Sequence, residues 1–326
     1  MRNGVSPRAS RLACRNGIAK LHRSAERILA AHAFSKRQIV ATLTNQFVRS
    51  YRLLYQIRSG RFSQVWAAID DGTGERFALK LLLDDFKKAP EHIQGLQHEY
   101  EVGCKLNHPR VLGATDFDHS KLGPYLKMPL CEGLNLRDVI RKSRRALEPW
   151  LPTIVEQACE GVAYLNSQRW IHLDLKPDNF MLTPDGSVKL IDFGLARRVP
   201  NAWERYFWKR RHKQIQGTRS YLAPEQIKLE PIDQRTDVYG LGCALFHMAT
   251  GVQPYTASNT NELLTKHLIY PIPDARVNNP SLTVEFAKLI RTMLAKSPDK
   301  RPPSAADVLN EVRAIQILKP TPVAAS

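Results

Sequence analysis

The chain has 326 residues, enough for one large domain or two lobes with a hydrophobic core, and its 43% hydrophobic and 24% charged residues are typical of globular proteins. Its five cysteines are scattered and form no C-x-x-C pair, which argues against a disulfide framework or zinc site and indicates a reducing, cytoplasmic compartment. The net charge of +17 lies almost entirely in residues 1–50 and 195–219, so a general nucleic-acid-binding surface is not expected.

The first predicted segment is a basic extension over residues 1–47, rich in Arg and Ala, in which Glu26 is the one acidic residue. Its weak helical pattern predicts a partly disordered or helical tail, while a membrane-surface, partner-docking or targeting role stays open. No apolar block follows Arg2, so a secretory signal is not expected. The longest apolar stretch, 238–252, is too short to cross a bilayer, so no transmembrane segment is expected.

Strand signals precede helix signals along the rest of the chain. Residues 47–70 predict two strands joined by a Gly/Ser turn, and 75–83 and 121–130 predict further strands around a helix at 90–106. Beyond residue 131 the pattern is mostly helical, with predicted helices at 134–145, 152–168, 236–250, 260–268, 282–295 and 303–316. This order predicts an α+β fold of two lobes, joined at residues 129–133.

Two loops carry the residue types that phosphoryl transfer requires. The segment LDLKPDNFML contains Asp174, Lys176 and Asn179, and KLIDFGLA contains Asp192. Transfer needs a carboxylate near the acceptor hydroxyl, a cation near the moving phosphoryl group, and oxygen ligands for a divalent metal ion. With His172, Phe193 and Gly194 these residues fix seven identities at set spacings, for which a chance match is roughly below one in a million.

These motifs resemble those of the eukaryotic-like protein kinases over about residues 50–317. The sequence HLD at residues 172–174 is similar to the catalytic loop of bacterial members of that family. The resemblance implies a bilobal kinase-like fold with a small β-rich N-lobe at 48–130 and a larger α-helical C-lobe at 131–319. A tail follows at 320–326. ATP would bind between the lobes together with Mg²⁺.

The resemblance also implies site roles, position by position. Asp174, Lys176, Lys80 and Glu99 would be catalytic, and Asn179 and Asp192 would hold the metal ion. Arg301 would form a buried ion pair with Glu225. The nucleotide-binding set would be Arg58, Ser59, Gly60, Arg61, Phe62, Ser63, Val65, Ala78, Lys80, Met128, Pro129, Cys131, Asn135 and Met181.

Two positions depart from the family pattern. The phosphate-covering segment retains only Gly60 of its expected glycines, with Arg58 and Ser63 in place of the others, which predicts a stiffer loop. Gly103 occupies a position at which the family usually has a bulky apolar residue, so the helix carrying Glu99 is expected to be less firmly held. These departures motivate an alternative function, a pseudokinase or nucleotide-binding scaffold.

Leu173 stands where many relatives have an Arg that pairs with a phosphorylated residue of the activation segment. Between Gly194 and Thr218 the chain has no Ser or Thr, and Tyr206 is the one residue there that could accept a phosphate. Both features predict that activation-loop phosphorylation does not activate this protein.

The activation segment also combines seven cations with aromatic residues, among them Trp203. The aromatic residues could pack on the C-lobe, or the segment could dock an acidic substrate or another anionic partner. A nucleic-acid partner is not favoured, because no supporting motif accompanies the segment.

The predicted function is an ATP- and Mg²⁺-dependent protein serine/threonine kinase with a protein substrate, and an acidic substrate is one option that stays open. Lys176 in DLKP together with Thr218 resembles the serine/threonine arrangement. The sequence bears on neither the pathway nor the oligomeric state. A small-molecule kinase on the same fold is less favoured. The GT motif at residues 217–218 and the APE motif at residues 223–225 resemble the peptide-docking end of the activation segment in the family.

Overall fold

The computed structural model describes residues 46–201, 203–204 and 214–320. The predicted N-terminal extension up to residue 45, most of the predicted tail, and Tyr206 lie outside the described residues.

The N-terminal lobe is built on a six-stranded antiparallel sheet in the order β1-β2-β3-β4-β6-β5. Alternating apolar residues of the central strands, including Leu53, Phe77 and Tyr125, bury one face of this sheet. The strand β5 was not predicted, because its sequence DFDHS has few apolar residues. The strands are β1 (Phe47–Val48), β2 (Tyr51–Ser59), β3 (Ser63–Asp70), β4 (Arg76–Leu82), β5 (Asp116–Ser120) and β6 (Gly123–Pro129).

One helix, α1 (Pro90–Gly103), packs on this sheet through a cluster that includes Leu96 and Leu126. It begins with a proline in its first turn, where no amide donor is needed. Gly103 is in close contact with neighbouring backbone, and the expectation that it leaves α1 less firmly held stays a prediction. A Cβ added at Gly103 would lie 2.8 Å from the amide nitrogen of Ala114, so neighbouring backbone already fills the space. A glycine at 103 therefore permits close packing at the end of α1.

The C-terminal lobe is mainly helical, as predicted, and its core surrounds α5, in which most residues are buried. The Asp233 side chain caps the start of α5, and Gly251, with φ 82°, ends it. The short helices α4 and α7 were not predicted. The helices are α2 (Leu136–Leu147), α3 (Leu151–Ser167), α4 (Pro224–Ile227), α5 (Gln234–Thr250), α6 (Thr260–Ile269), α7 (Ala275–Asn278), α8 (Val284–Met293) and α9 (Ala305–Ala314).

Two small sheets contain the strands that flank the loops carrying the predicted catalytic residues. Strands β7 (Leu134–Asn135), β9 (Phe180–Leu182) and β10 (Val188–Leu190) form one antiparallel sheet. Strand β8 (Trp170–Ile171) pairs with β11 (Arg197–Arg198). The predicted α+β bilobal fold is confirmed. None of the helices in the described ranges is both long and apolar enough to cross a membrane.

Candidate active site

The loop between β8 and β9 brings the predicted catalytic residues together. Lys176 Nζ contacts the Asp174 carboxylate and donates to Thr218 Oγ1 at 2.7 Å. The backbone amide of Thr218 donates to Asp174 Oδ1 at 2.8 Å, and the Asn179 side-chain amide donates to the carbonyl of Asp174 at 2.9 Å. Asp174 is thereby fixed in orientation, with its side chain 11% exposed. A carboxylate held in this way can receive a hydroxyl proton from an acceptor residue.

Asp237, a buried residue in the first turn of α5, binds the backbone of this loop. Its two carboxylate oxygens accept from the backbone amides of His172 and Leu173 at 2.8 and 3.0 Å, and Asn166 donates to it at 2.9 Å. Leu173 has a left-handed backbone with φ 66°, unfavourable for a residue with a side chain. These hydrogen bonds hold the loop in that conformation.

Across the cleft, Lys80 on β4 connects α1 to the loop that follows β10. Its Nζ lies 2.6 Å from Glu99 Oε2 and 3.3 Å from Asp192 Oδ1. Burial opposes protonation of Lys80, but the charges of Asp192 and Glu99 outweigh it and raise the Lys80 pKa. The Lys80 charge in turn lowers the pKa of Asp192 to about 2. Lys80 is therefore a permanent cation facing an ionised Asp192.

Asp192 and Asn179 suit a divalent cation such as Mg²⁺. The Asp192 carboxylate is ionised at neutral pH and 42% exposed, so it is open towards the cleft. The Asn179 side chain donates its NH₂ group to the Asp174 carbonyl, which leaves its oxygen as a ligand. The backbone amide of Ile191 donates to the Asn179 carbonyl at 2.9 Å and brings the two loops together. Carboxylate and amide oxygens are the ligands that magnesium prefers.

The turn between β2 and β3 forms the roof of the cleft. The Gly60 amide donates to the Ser63 carbonyl at 2.8 Å, and a Cβ at Gly60 would lie 3.3 Å from that oxygen. The Phe62 ring packs against His92 and Phe86, with ring centroids 4.6 and 5.0 Å apart. The tip of the turn is therefore fixed to the start of α1, a contact that the sequence did not predict.

The predicted adenine site lies at the end of β6. Ala78 and Met128 are partners in the β4–β6 register, and Val65 on β3 is the partner of Lys80. Burial raises the pKa of the Cys131 thiol to about 11. This agrees with a packed residue in the hinge, which is the junction between the lobes at residues 129–133.

Two other predicted nucleotide contacts lie on the neighbouring small sheet. Asn135 and Met181 are partners in the β7–β9 register. The Asn135 side chain caps α2, accepting from the Asp138 amide at 2.9 Å and donating to the Asp138 carboxylate at 2.7 Å. A ribose contact by Asn135 would have to share or replace these bonds.

The Leu173 side chain is 8% exposed and packs in an apolar cluster with Ile171, Ile232 and Val199. The Leu173 carbonyl accepts from Gln226 at 3.2 Å.

The activation segment is held at both ends of its described part. Its first end pairs β11 with β8, and the Val199 amide donates to the Arg169 carbonyl at 3.0 Å. Arg197 donates to Gln216 across the segment at 2.8 Å. At the second end Arg301 forms the expected ion pair with Glu225, at 2.7 and 2.9 Å, and both side chains are buried.

Sequence reasoning missed Asp178. This residue lies next to Asn179 in the loop between β8 and β9, which forms the floor of the cleft. Two arginines approach its carboxylate, Arg58 at 3.4 Å and Arg137 at 3.3 Å. An Arg in place of a glycine at position 58 was the available signal, but the sequence does not show where that side chain ends.

The fold and the geometry of the site are those of a protein kinase domain. The chain belongs to the protein kinase domain family, whose model matches residues 51–312. It is 30% identical over 271 residues to the serine/threonine-protein kinase PknA of Mycobacterium tuberculosis, covering 82% of this chain and 61% of that protein. It is also 30% identical over 259 residues to the serine/threonine-protein kinase PknB of Mycolicibacterium smegmatis, covering 76% of this chain and 40% of that protein. The chain thus spans about three fifths of the first relative and two fifths of the second.

Proposed function

We propose that this chain is an ATP- and Mg²⁺-dependent protein serine/threonine kinase. The observation that carries the proposal is that each of two lysines in the cleft contacts two polar or ionisable side chains. Lys80 contacts both Glu99 and Asp192, and Lys176 contacts both Asp174 and Thr218. Each cation faces ionisable or polar groups that phosphoryl transfer requires, and the similarity to two proteins named as serine/threonine kinases supports the same activity.

In the proposed reaction Asp174 orients the acceptor hydroxyl and accepts its proton. Lys176 places a positive charge beside the same carboxylate, where the transferred phosphoryl group would pass. Lys80 binds the phosphates that remain on the nucleotide, and Glu99 fixes the direction of the Lys80 side chain. Asp192 and Asn179 would hold magnesium, which neutralises phosphate charge when bound.

Incorporation of radiolabelled phosphate into the chain itself and into generic protein substrates tests this proposal, with Asp192→Ala as the inactive control. Phosphoamino-acid analysis should find phosphoserine or phosphothreonine. ATP-dependent thermal stabilisation without any label would contradict the proposal and support the pseudokinase alternative.

The proposal includes activity without phosphorylation of the activation segment. Leu173 is packed among apolar side chains, where a phosphate would find no cationic partner in that side chain. Hydrogen bonds between protein groups hold both ends of the segment in its described part.

Phosphatase treatment, checked by mass spectrometry, should therefore leave the rate unchanged, and Tyr206→Phe should behave like the wild type. A rate that falls on dephosphorylation and returns on incubation with ATP would contradict this part of the proposal.

A preference for acidic substrates is proposed from the charge of the activation segment. Residues 195–219 contain eight Lys or Arg and one Glu, and the Trp203 side chain is 75% exposed, which leaves most of its surface accessible to a partner. Exposed aromatic and basic residues suit an anionic peptide. A degenerate peptide array should show acidic residues flanking the acceptor, and an array without that preference would refute the docking role.

A further inference from the structure

An ion pair that involves none of the predicted catalytic residues connects the roof of the cleft with its floor. Arg58 lies near the end of β2, immediately before the turn that forms the roof, and Asp178 lies on the floor beside Asn179. Their side chains approach to 3.4 Å although they are 120 residues apart in sequence. The Asp178 side chain is 10% exposed and that of Arg58 is 45% exposed. The pair therefore bridges the lobes at the mouth of the cleft.

A second arginine contacts the same carboxylate without bridging the lobes. Arg137, in the first turn of α2, lies 3.3 Å from Asp178 and is 54% exposed. Its distance and exposure match those of Arg58, but α2 and Asp178 both belong to the C-terminal lobe. The two arginines differ mainly in what they connect.

We propose that Arg58 and Asp178 form a latch that holds the roof over bound nucleotide, with Arg58 acting as a positioning residue. This inference rests on the proposed binding of ATP in the cleft. Nucleotide exit requires the roof to lift from the floor, and lifting the end of β2 breaks the Arg58–Asp178 contact. A glycine at position 58 would provide no such contact, so the substitution adds a side-chain restraint where the family pattern relies on backbone mobility.

The partial exposure of Arg58 limits the strength of the latch. An ion pair screened by solvent on one side contributes about 0.2–1 kcal/mol, so breaking it should change nucleotide dissociation by about 1.4- to fivefold. Such a contact can slow release and still open on every catalytic cycle.

Stopped-flow dissociation of a fluorescent ADP in the presence of Mg²⁺ tests the latch in the full chain. Arg58→Met should speed dissociation by about 1.4- to fivefold, and Arg58→Lys should restore part of the effect. Arg137→Met, the matched control, should leave the dissociation rate unchanged, because it removes a similar cation within one lobe.

A double-mutant cycle identifies the partner of Arg58. Asp178→Asn should speed dissociation by a similar factor, and Arg58→Met should add little in the Asp178→Asn background. An undiminished Arg58→Met effect in that background would overturn the latch, because it would mean that Arg58 contacts the nucleotide phosphates directly. Equal effects of Arg58→Met and Arg137→Met, seen on the KM for peptide, would overturn it in favour of an anion site for substrate.

Nucleotide binding and phosphate transfer are measured separately, so the two proposals fail in different ways. A chain that binds ADP but transfers no phosphate refutes the kinase activity and leaves the dissociation comparison decisive for the latch. A wild-type chain that binds no nucleotide refutes both proposals. Thermal unfolding of each variant verifies that the substitutions at these partly exposed positions leave the fold intact.

Discussion

The floor and the roof of the cleft are built in different ways. On the floor, Asp174, Lys176 and Thr218 contact one another directly, so each functional group is positioned by another. On the roof, the turn at Gly60 is positioned by packing against the N-terminal lobe, such as that of Phe62 on His92. The floor therefore depends on the chemical identity of its side chains, whereas the roof depends on a backbone shape that different side chains can support.

The largest effect is expected from Asp174→Asn on the floor. The variant keeps the size of the side chain and can still bind ATP, but it cannot accept the hydroxyl proton, so kcat should fall by about 10²-fold or more. Single-turnover kinetics and nucleotide titration measure the two quantities. Asp84→Asn, at a carboxylate that is 90% exposed, is the control. A full rate in the Asn variant would remove Asp174 from the proposed role.

A large effect on stability is expected from Arg301→Met, at the buried ion pair with Glu225 near the second end of the activation segment. Arg301 is fully buried, and its loss leaves the Glu225 carboxylate without its cation, which should lower the free energy of unfolding by about 3–5 kcal/mol. Chemical denaturation measures the change. Arg313→Met removes an arginine of similar pairing at a half-exposed site and should have little effect. Equal losses in the two variants would show that burial does not decide the contribution.

The smallest effect is expected on the roof, from Gly60→Ala. The new Cβ would lie 3.3 Å from the Ser63 carbonyl, so the turn must shift slightly, at a cost of about 1 kcal/mol. The KM for ATP should rise by about fivefold with little change in kcat. Gly95→Ala is the control, because a Cβ at Gly95 meets no neighbouring atom within 4 Å. A loss of kcat comparable to that of Asp174→Asn would end the contrast between roof and floor.

The sequence predicted the floor well because its information is local. Asp174, Lys176 and Asn179 lie within six consecutive residues, and the order and spacing of these types are characteristic of phosphoryl transfer. The main helices were also predictable, since their apolar residues recur with helical period. The predicted fold class is confirmed, and the catalytic roles of these residues stay a prediction.

Contacts between distant segments could not be predicted in this way. No local pattern indicates that Arg58 meets Asp178, or that Leu173 packs on Ile232. The close packing at Gly103 is another such case, because the backbone that fills its space comes from Ala114. Where neighbours are supplied by another element, residue type alone does not determine packing.

The partly buried thiol of Cys131 has a consequence for inhibitor chemistry. With a pKa near 11, Cys131 would be about one part in ten thousand thiolate at neutral pH, and the thiolate is the form that attacks electrophiles. An acrylamide-type ligand placed in the adenine site would therefore react slowly with Cys131 despite its position. Among the described cysteines Cys104 is the exposed one, so an electrophile would meet that thiol at the surface before it reached the hinge. Selective ligands for this cleft should rely on reversible contacts.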